Sequence, residues 1–134
     1  LHEDHLIGSL TKNFFSVMGA CYSVKKVTQN LIPNVTKAIQ AEQPDVCLVV
    51  AMWPLCHQTS SLIARGLEEA GIPPMLLGSA FDILSHAWAP RISFVNYPLG
   101  HQAYVKFYSP KPKKDILSNT SLIHIRPTAV NHLM

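Results

Sequence analysis

Cys56 and His57, a thiol and an imidazole adjacent in the sequence, are the residues best suited to chemistry. They follow a continuous apolar run and precede an amphipathic stretch that begins near Thr59. Cys56 therefore lies just before a predicted helix, where unpaired backbone N–H groups and the helix dipole favour a thiolate. This position predicts a reactive thiol, with His57 supplying positive charge or a proton. The alternative is an unreactive, partly buried thiol beside a histidine whose ring nitrogens are bonded within the fold.

Three short apolar runs without polar alternation are typical of strands that are covered on both faces of a sheet. These runs are Val46–Met52, Met75–Gly78 and Ile92–Tyr97. A helix predicted from about Thr59 to Ala70, with Gly71 as its C-cap, joins the first two, and a shorter helix from Ser79 to about Trp88 joins the last two. Strands that alternate with helices imply right-handed crossovers and a parallel sheet. The sequence therefore predicts an α/β fold, a Rossmann-like three-layer domain with a mainly parallel sheet.

The segments on either side of this unit are less regular. Upstream, Ser23 is a suitable N-cap for a helix, and Pro33 must kink that helix or divide it in two. Downstream, a stretch rich in proline and lysine is typical of a linker, and Leu122–Arg126 is a candidate edge strand. We expect one α/β domain over residues 1–107 and a C-terminal extension over residues 108–134 whose structure the sequence does not define.

The polar residues that follow the predicted strands are expected to form one site. Ligands of open parallel sheets bind outside the carboxyl ends of the strands, at a switch in strand order. Catalytic roles are expected for Cys56, His57 and His101. Contacts to a small-molecule substrate are expected from Trp53, Ser79, Asp82, Asn96 and Gly100.

A metal site is a second interpretation of the same residues. Cys56, His57, His86 and His101 offer ligands from separate segments, as catalytic zinc would use. However, no pair of them has a recognised ligand spacing, and adjacent Cys-His pairs seldom bind one ion. We therefore predict no metal. The glycines are scattered and form no phosphate-binding loop, so no cofactor is predicted either.

The composition excludes several classes of protein. Of 134 residues, 48% are hydrophobic and 14% are charged, which argues against disorder. The formal net charge of +3 and the lack of a basic helix face argue against nucleic-acid binding, and no apolar run is long enough to cross a membrane. Three irregularly spaced cysteines form no disulfide framework, so a reducing cytoplasm is expected. The low charge fraction predicts apolar surface that is covered in a homo-oligomer.

Three segments, in their order along the chain, resemble the glycine/sarcosine/betaine/D-proline reductase family, selenoprotein B type. They are Pro54–Thr59, Leu67–Pro73 and Asn96–His101, within a matched core of residues 44–103. That family reductively cleaves a C–N bond of an amino acid or an N-methylated relative, using a selenocysteine or cysteine in a U/C-x-x-C setting. The resemblance places Cys56 at the second position of this setting and Trp53 at the first, where an indole cannot act as a chalcogen nucleophile.

The resemblance implies a function for the whole site. It implies thiol-dependent reductive cleavage of a C–N bond in an amino acid or N-methylated derivative, together with partner reductase subunits. Two alternatives stay open. The first is a non-catalytic subunit or small-molecule-binding domain that retains the cleft, and the second is a metal-dependent, hydrolase-like site.

Overall fold

The computed structural model describes residues 8–100 and 120–125, which contain a four-stranded sheet. The strands are β1 (Cys47–Val50), β2 (Pro74–Gly78), β3 (Arg91–Val95) and β4 (Thr120–Ile125), and they lie in this order across the sheet. β1 pairs with β2 and β2 pairs with β3 in parallel, whereas β4 runs antiparallel to β3. The predicted α/β class and the mainly parallel sheet are therefore confirmed, and the three parallel strands coincide with the three apolar runs.

A helix with an internal π turn precedes β1. Its parts are α1 (Val24–Lys26), a π-helical turn (Val27–Leu31) and α2 (Ile32–Gln40). The Ser23 hydroxyl accepts a hydrogen bond from the Lys26 N–H at 3.3 Å, which confirms the predicted N-cap. Pro33 lies in the first turn of α2, and the wider π turn ahead of it accommodates the proline ring. The helical conformation runs without a break from Val24 to Gln40, so Pro33 does not split the helix in two, and the irregularity is the π turn just before it.

The helix between β1 and β2 begins earlier than predicted. It is α3 (Pro54–Glu69), whereas the sequence predicted a start near Thr59, so Cys56 and His57 lie inside its first turn rather than before it. Pro54 is tolerated as the first helical residue because an N–H at that position would have no partner within the helix. The shorter helix α4 (Phe81–His86) joins β2 to β3, as expected.

The carboxyl end of α3 is a Schellman motif. The Gly71 N–H donates to the Glu68 carbonyl at 3.0 Å, and the Ile72 N–H donates to the Leu67 carbonyl at 2.9 Å. Gly71 adopts a φ of 80°, which glycine tolerates because it has no Cβ. The predicted cap is therefore confirmed, and the turn directs the chain into β2.

The described helices contact one face of the sheet. One core cluster joins Leu76 of β2 to Ala64 of α3 and Leu84 of α4. A second joins Ile39 of α2 to α3 and to Val49 of β1. Right-handed crossovers that step in one direction across the sheet place successive helices on the same side. The strand order does not reverse among the described strands, so the switch point expected from the sequence is not found there.

The opposite face of β1 and β2 is apolar and open to solvent. Leu48 and Val50 are 65% and 40% exposed. They are in register with Met75 and Leu77 of β2, which are half-buried. A further layer over this face, which the three-layer arrangement calls for, stays a prediction.

Candidate functional site

Backbone groups bind the sulfur of Cys56 at the start of α3. Its Sγ accepts hydrogen bonds from the Met52 N–H at 3.0 Å and the Trp53 N–H at 2.8 Å, and the thiol donates to the Trp53 carbonyl at 2.9 Å. The two N–H donors and the start of the helix face the sulfur, and the Trp53 carbonyl accepts the proton of the thiol. The residue is half-buried rather than enclosed.

His57 is fully buried and uses both of its ring nitrogens. Nδ1 lies 2.5 Å from the Trp53 carbonyl, and because a carbonyl only accepts, Nδ1 carries the proton. Nε2 then accepts hydrogen bonds from the Ser79 N–H at 3.1 Å and the Ala80 N–H at 3.3 Å. Burial lowers the pKa of His57, although the Trp53 carbonyl and the charge of Asp82 oppose this. The neutral imidazole therefore links the first turn of α3 to the loop after β2. The role of His57 as a proton donor stays a prediction.

The loop after β2 is shaped around this imidazole. A Cβ on Gly78 would lie 2.9 Å from the His57 Nε2, so glycine leaves the space that the ring occupies. The buried Ser79 hydroxyl oxygen has no hydrogen-bond partner within residues 8–100 and 120–125. Asp82 is exposed in the first turn of α4. The loop therefore presents one unsatisfied hydroxyl and one carboxylate near the carboxyl end of β2.

A segment that sequence reasoning did not assign to the site passes over the first turn of α3. We call residues 18–22 the strap. A Cβ on Gly19 would overlap the Cβ of Cys56 and lie 3.2 Å from its Cα, so the strap backbone contacts Cys56 directly. The Thr59 hydroxyl donates to the Gly19 carbonyl at 2.7 Å, and the Cys21 N–H donates to the same oxygen at 2.9 Å. The contact of Gly19 with α3 joins residues 40 positions apart. A single glycine at position 19 is the one local feature of the sequence that could have pointed to it.

The remaining predicted site residues differ in how the structure places them. Trp53 is the N-cap residue of α3 and is 67% exposed, so its indole is accessible beside Cys56. Asn96 is exposed directly after β3, and Gly100 has a φ of 86°. His101 lies outside the described residues. The structure thus brings Trp53, Cys56 and the loop after β2 together around His57.

A shallow depression of about 430 Å³ opens beside α4. Its lining residues are Phe81, Asp82, Ser85, His86 and Trp88. Asp82 also acts electrostatically on His57, so the depression adjoins the loop after β2. It is wide and open, which fits a surface contact better than an enclosed ligand pocket.

Neither a metal-binding cluster nor a membrane-spanning helix is present in the part of the chain that the structure describes. No group of three or more His, Cys, Asp or Glu side chains within residues 8–100 and 120–125 is placed to hold a metal ion. No helix in the same ranges is long and apolar enough to cross a membrane.

Comparison with known proteins finds a reductase subunit. The D-proline reductase subunit gamma of Acetoanaerobium sticklandii is 24% identical to this chain over 103 residues. The chain is a distant relative of the reductase family. The match covers 77% of this chain and 43% of that subunit, so the chain spans less than half the length of the relative. No family model and no solved structure matches the chain. The reductase relationship expected from the sequence is therefore confirmed at this coarse level.

Proposed function

We propose that Cys56 takes part in thiol-dependent reductive cleavage of a C–N bond in an amino acid or an N-methylated derivative. The observation that carries this proposal is the binding of the Cys56 sulfur by two backbone N–H groups at the N-terminus of α3. The distant relationship to a D-proline reductase subunit supports the same class of reaction.

The backbone arrangement suits a nucleophile. Donors that belong to the main chain are already in place, so no reorganisation is needed when negative charge develops on the sulfur. His57 acts in this proposal as a positioning residue, because its buried Nε2 accepts two N–H groups and has no proton to give. A proton for the leaving amine then comes from another group, for which the proposal retains His101.

The surroundings of Cys56 offer contacts to an amino-acid substrate. The exposed indole of Trp53 presents a face that attracts an ammonium or N-methylated ammonium group through a cation–π interaction. The carboxylate of Asp82 favours the same positive charge, and the unsatisfied hydroxyl of Ser79 can bind a substrate oxygen. Asn96 and Gly100 are proposed contacts from the segment after β3.

The test is turnover by the purified chain under reducing conditions. D-proline, glycine, sarcosine and betaine are incubated separately with the protein and dithiothreitol, and the cleaved products are quantified by mass spectrometry. Turnover of at least one substrate should disappear in Cys56→Ser and persist in Cys47→Ser, the matched control. Equal turnover by Cys56→Ser and the wild type would refute a role for this thiol.

A non-catalytic subunit is the second candidate function. It is favoured by Trp53, which the resemblance places where a chalcogen nucleophile would be. In that case a substrate would bind without being consumed, and calorimetric binding in the absence of turnover would establish this alternative. Loss of binding in Trp53→Ala, with the fold unchanged, would locate the bound substrate at the site.

Exposed apolar surface supports a proposal of partner subunits and of a homo-oligomer. Phe14, Met18 and Tyr22 are 80%, 75% and 88% exposed, and Leu48 on the open sheet face is 65% exposed. A stable interface would bury more than about 1,000 Å² in total. Sedimentation at tens of micromolar should therefore show a species larger than the monomer, and a monomer at that concentration would contradict the homo-oligomer. The free cysteines fit the reducing cytoplasm proposed for the chain.

A further inference from the structure

The proposed reaction needs a second thiol, and the first turn of α3 supplies only one. Reductive cleavage of a C–N bond consumes two electrons, which two thiols provide when they are oxidised to a disulfide. We propose that Cys21 is the second thiol and that it forms a reversible disulfide with Cys56. Its role in turnover rests on the function proposed above, whereas the pairing of the two cysteines rests on the geometry of the strap.

The strap brings the backbone of Cys21 to the first turn of α3. Gly19 contacts Cys56 so closely that no side chain fits between them, and the Thr59 hydroxyl holds the Gly19 carbonyl at 2.7 Å. The Cys21 N–H donates to that same carbonyl, which folds the strap into a tight turn between Gly19 and Cys21. Two residues span at most about 7 Å between their Cα atoms. Because a Cβ on Gly19 would lie 3.2 Å from the Cα of Cys56, the Cα atoms of Cys21 and Cys56 are at most about 12 Å apart. A disulfide needs a Cα separation of about 4.4–6.8 Å, so a movement of the strap by no more than about 5 Å brings the two cysteines within reach.

The strap is an irregular segment, so its Cys21 end can shift without breaking a helix or a strand. It contains no helix or strand, and Cys21 is only half-buried. The Cys21 thiol donates to the Met18 carbonyl at 3.1 Å, a weak hydrogen bond within the strap itself. The movement therefore breaks no strong contact of the sulfur.

The third cysteine is placed for packing instead. Cys47 lies in β1 and packs against the cluster formed by α2 and α3. Burial raises the pKa of its thiol, which makes it a poorer nucleophile at neutral pH. Among the free cysteines, Cys21 is thus the one whose position suits exchange with Cys56.

The step balances in atoms and electrons. The Cys21 and Cys56 thiols lose two protons and two electrons and form an S–S bond. The substrate takes up the two electrons and two protons as its C–N bond breaks. One proton ends on the carbon, and the other reaches the leaving amine by way of His101, the acid named above. An external dithiol, such as dithiothreitol, then reduces the disulfide and returns both thiols.

The experiment first measures the disulfide without substrate. The chain is equilibrated with mixtures of oxidised and reduced dithiothreitol, quenched with acid, alkylated and mapped by mass spectrometry. We expect a monomeric species that carries a Cys21–Cys56 bond and is lighter than the reduced chain by two hydrogens. The same species should form in Cys47→Ser and should be absent in Cys21→Ser. Absence of this bond over the whole range of mixtures, or a bond to Cys47 instead, would overturn the inference.

A single-turnover experiment then tests the role in the reaction. Pre-reduced protein, freed of dithiothreitol, should release up to one product per chain and lose both thiols together. Cys21→Ser should release none until dithiothreitol is added as a substitute thiol. Equal product from Cys21→Ser and the wild type without dithiothreitol would overturn the role of Cys21 and leave the proposed function intact. A Cys21–Cys56 bond without any turnover would instead refute the proposed function and leave the pairing intact.

Discussion

Replacing Gly19 with alanine should lift the strap off the first turn of α3. The added Cβ would overlap the Cβ of Cys56 and lie 3.2 Å from its Cα, whereas carbon atoms in ordinary contact are about 3.5–4.0 Å apart. The backbone of α3 cannot yield, because its first turn is tied to the loop after β2 through His57. The strap must therefore move, and the hydrogen bond from Thr59 to the Gly19 carbonyl lengthens or breaks.

The size of the effect follows from what the strap loses. One hydrogen bond and a close backbone contact together correspond to about 1–2 kcal/mol. Because the strap has no helix or strand, we expect this cost to favour local opening rather than global unfolding. A shift of that size changes the ratio of open to closed strap about 5–30-fold. Alkylation of Cys56 that proceeds through the open form should accelerate by a similar factor.

The assay is the rate of iodoacetamide labelling of Cys56 at neutral pH, followed residue by residue by mass spectrometry. Gly8→Ala is the matched control, because a Cβ on Gly8 meets nothing within 4 Å. Cys47 serves as the internal reference, since its labelling should depend on unfolding of the core. Labelling of Cys56 at the wild-type rate in Gly19→Ala would refute the contact between the strap and α3. Faster labelling of Cys47 as well would show global destabilisation instead of local opening.

Three further changes test the packing and the electrostatics. Gly66→Ala should destabilise the chain by about 1–3 kcal/mol, because the new Cβ overlaps Cγ2 of Ile32 and this outweighs the better helix propensity of alanine. Urea unfolding measures the cost, which should be smaller in an Ile32→Ala background. Stability should fall as the pH drops below about 6.5, because burial lowers the pKa of His57 and the unfolded chain therefore binds the proton at a higher pH than the folded chain. The urea midpoints at about pH 7.5 and 5.5 measure this loss of stability. If the two midpoints differ by the same amount in His57→Gln, the loss does not come from His57. Arg91→Gln should cost about 1 kcal/mol, because the guanidinium binds both carboxylate oxygens of Glu68 in a partly buried pair. Thermal unfolding measures this, and a cost of similar size in a Glu68→Gln background would contradict it.

The parallel strands were predictable because their signal is local. A strand that must be covered on both faces needs a continuous apolar run, and the sequence around Val49, Leu76 and Ile92 shows such runs. The end of α3 was predictable for the same reason, since Gly71 supplies the left-handed conformation that a Schellman motif requires.

The first turn of α3 was predicted wrongly because a cysteine caps it, and cysteine is not among the residues that usually mark a helix start. Trp53-Pro54 is typical of a turn, and no serine, threonine or aspartate precedes the helix to mark an N-cap. The Cys56 sulfur instead reaches back to the Trp53 N–H, in the manner of a third helical residue that caps its own helix. The strap was missed for a stronger reason. The contact of Gly19 with α3 joins residues far apart in the sequence and follows no period.

The geometry of the site depends on the backbone of residue 53 rather than on its side chain. The Trp53 N–H binds the Cys56 sulfur, and its carbonyl binds both that sulfur and Nδ1 of His57. Any residue with an ordinary N–H and carbonyl can make these three contacts, so the geometry around Cys56 and His57 does not require a tryptophan at position 53. The exposure of the indole agrees with this, because Trp53 contributes little of its surface to the core. A change of the Trp53 side chain should therefore leave Cys56 and His57 in position, and the second thiol of the proposed reaction has to come from outside the first turn of α3, as proposed for Cys21 of the strap.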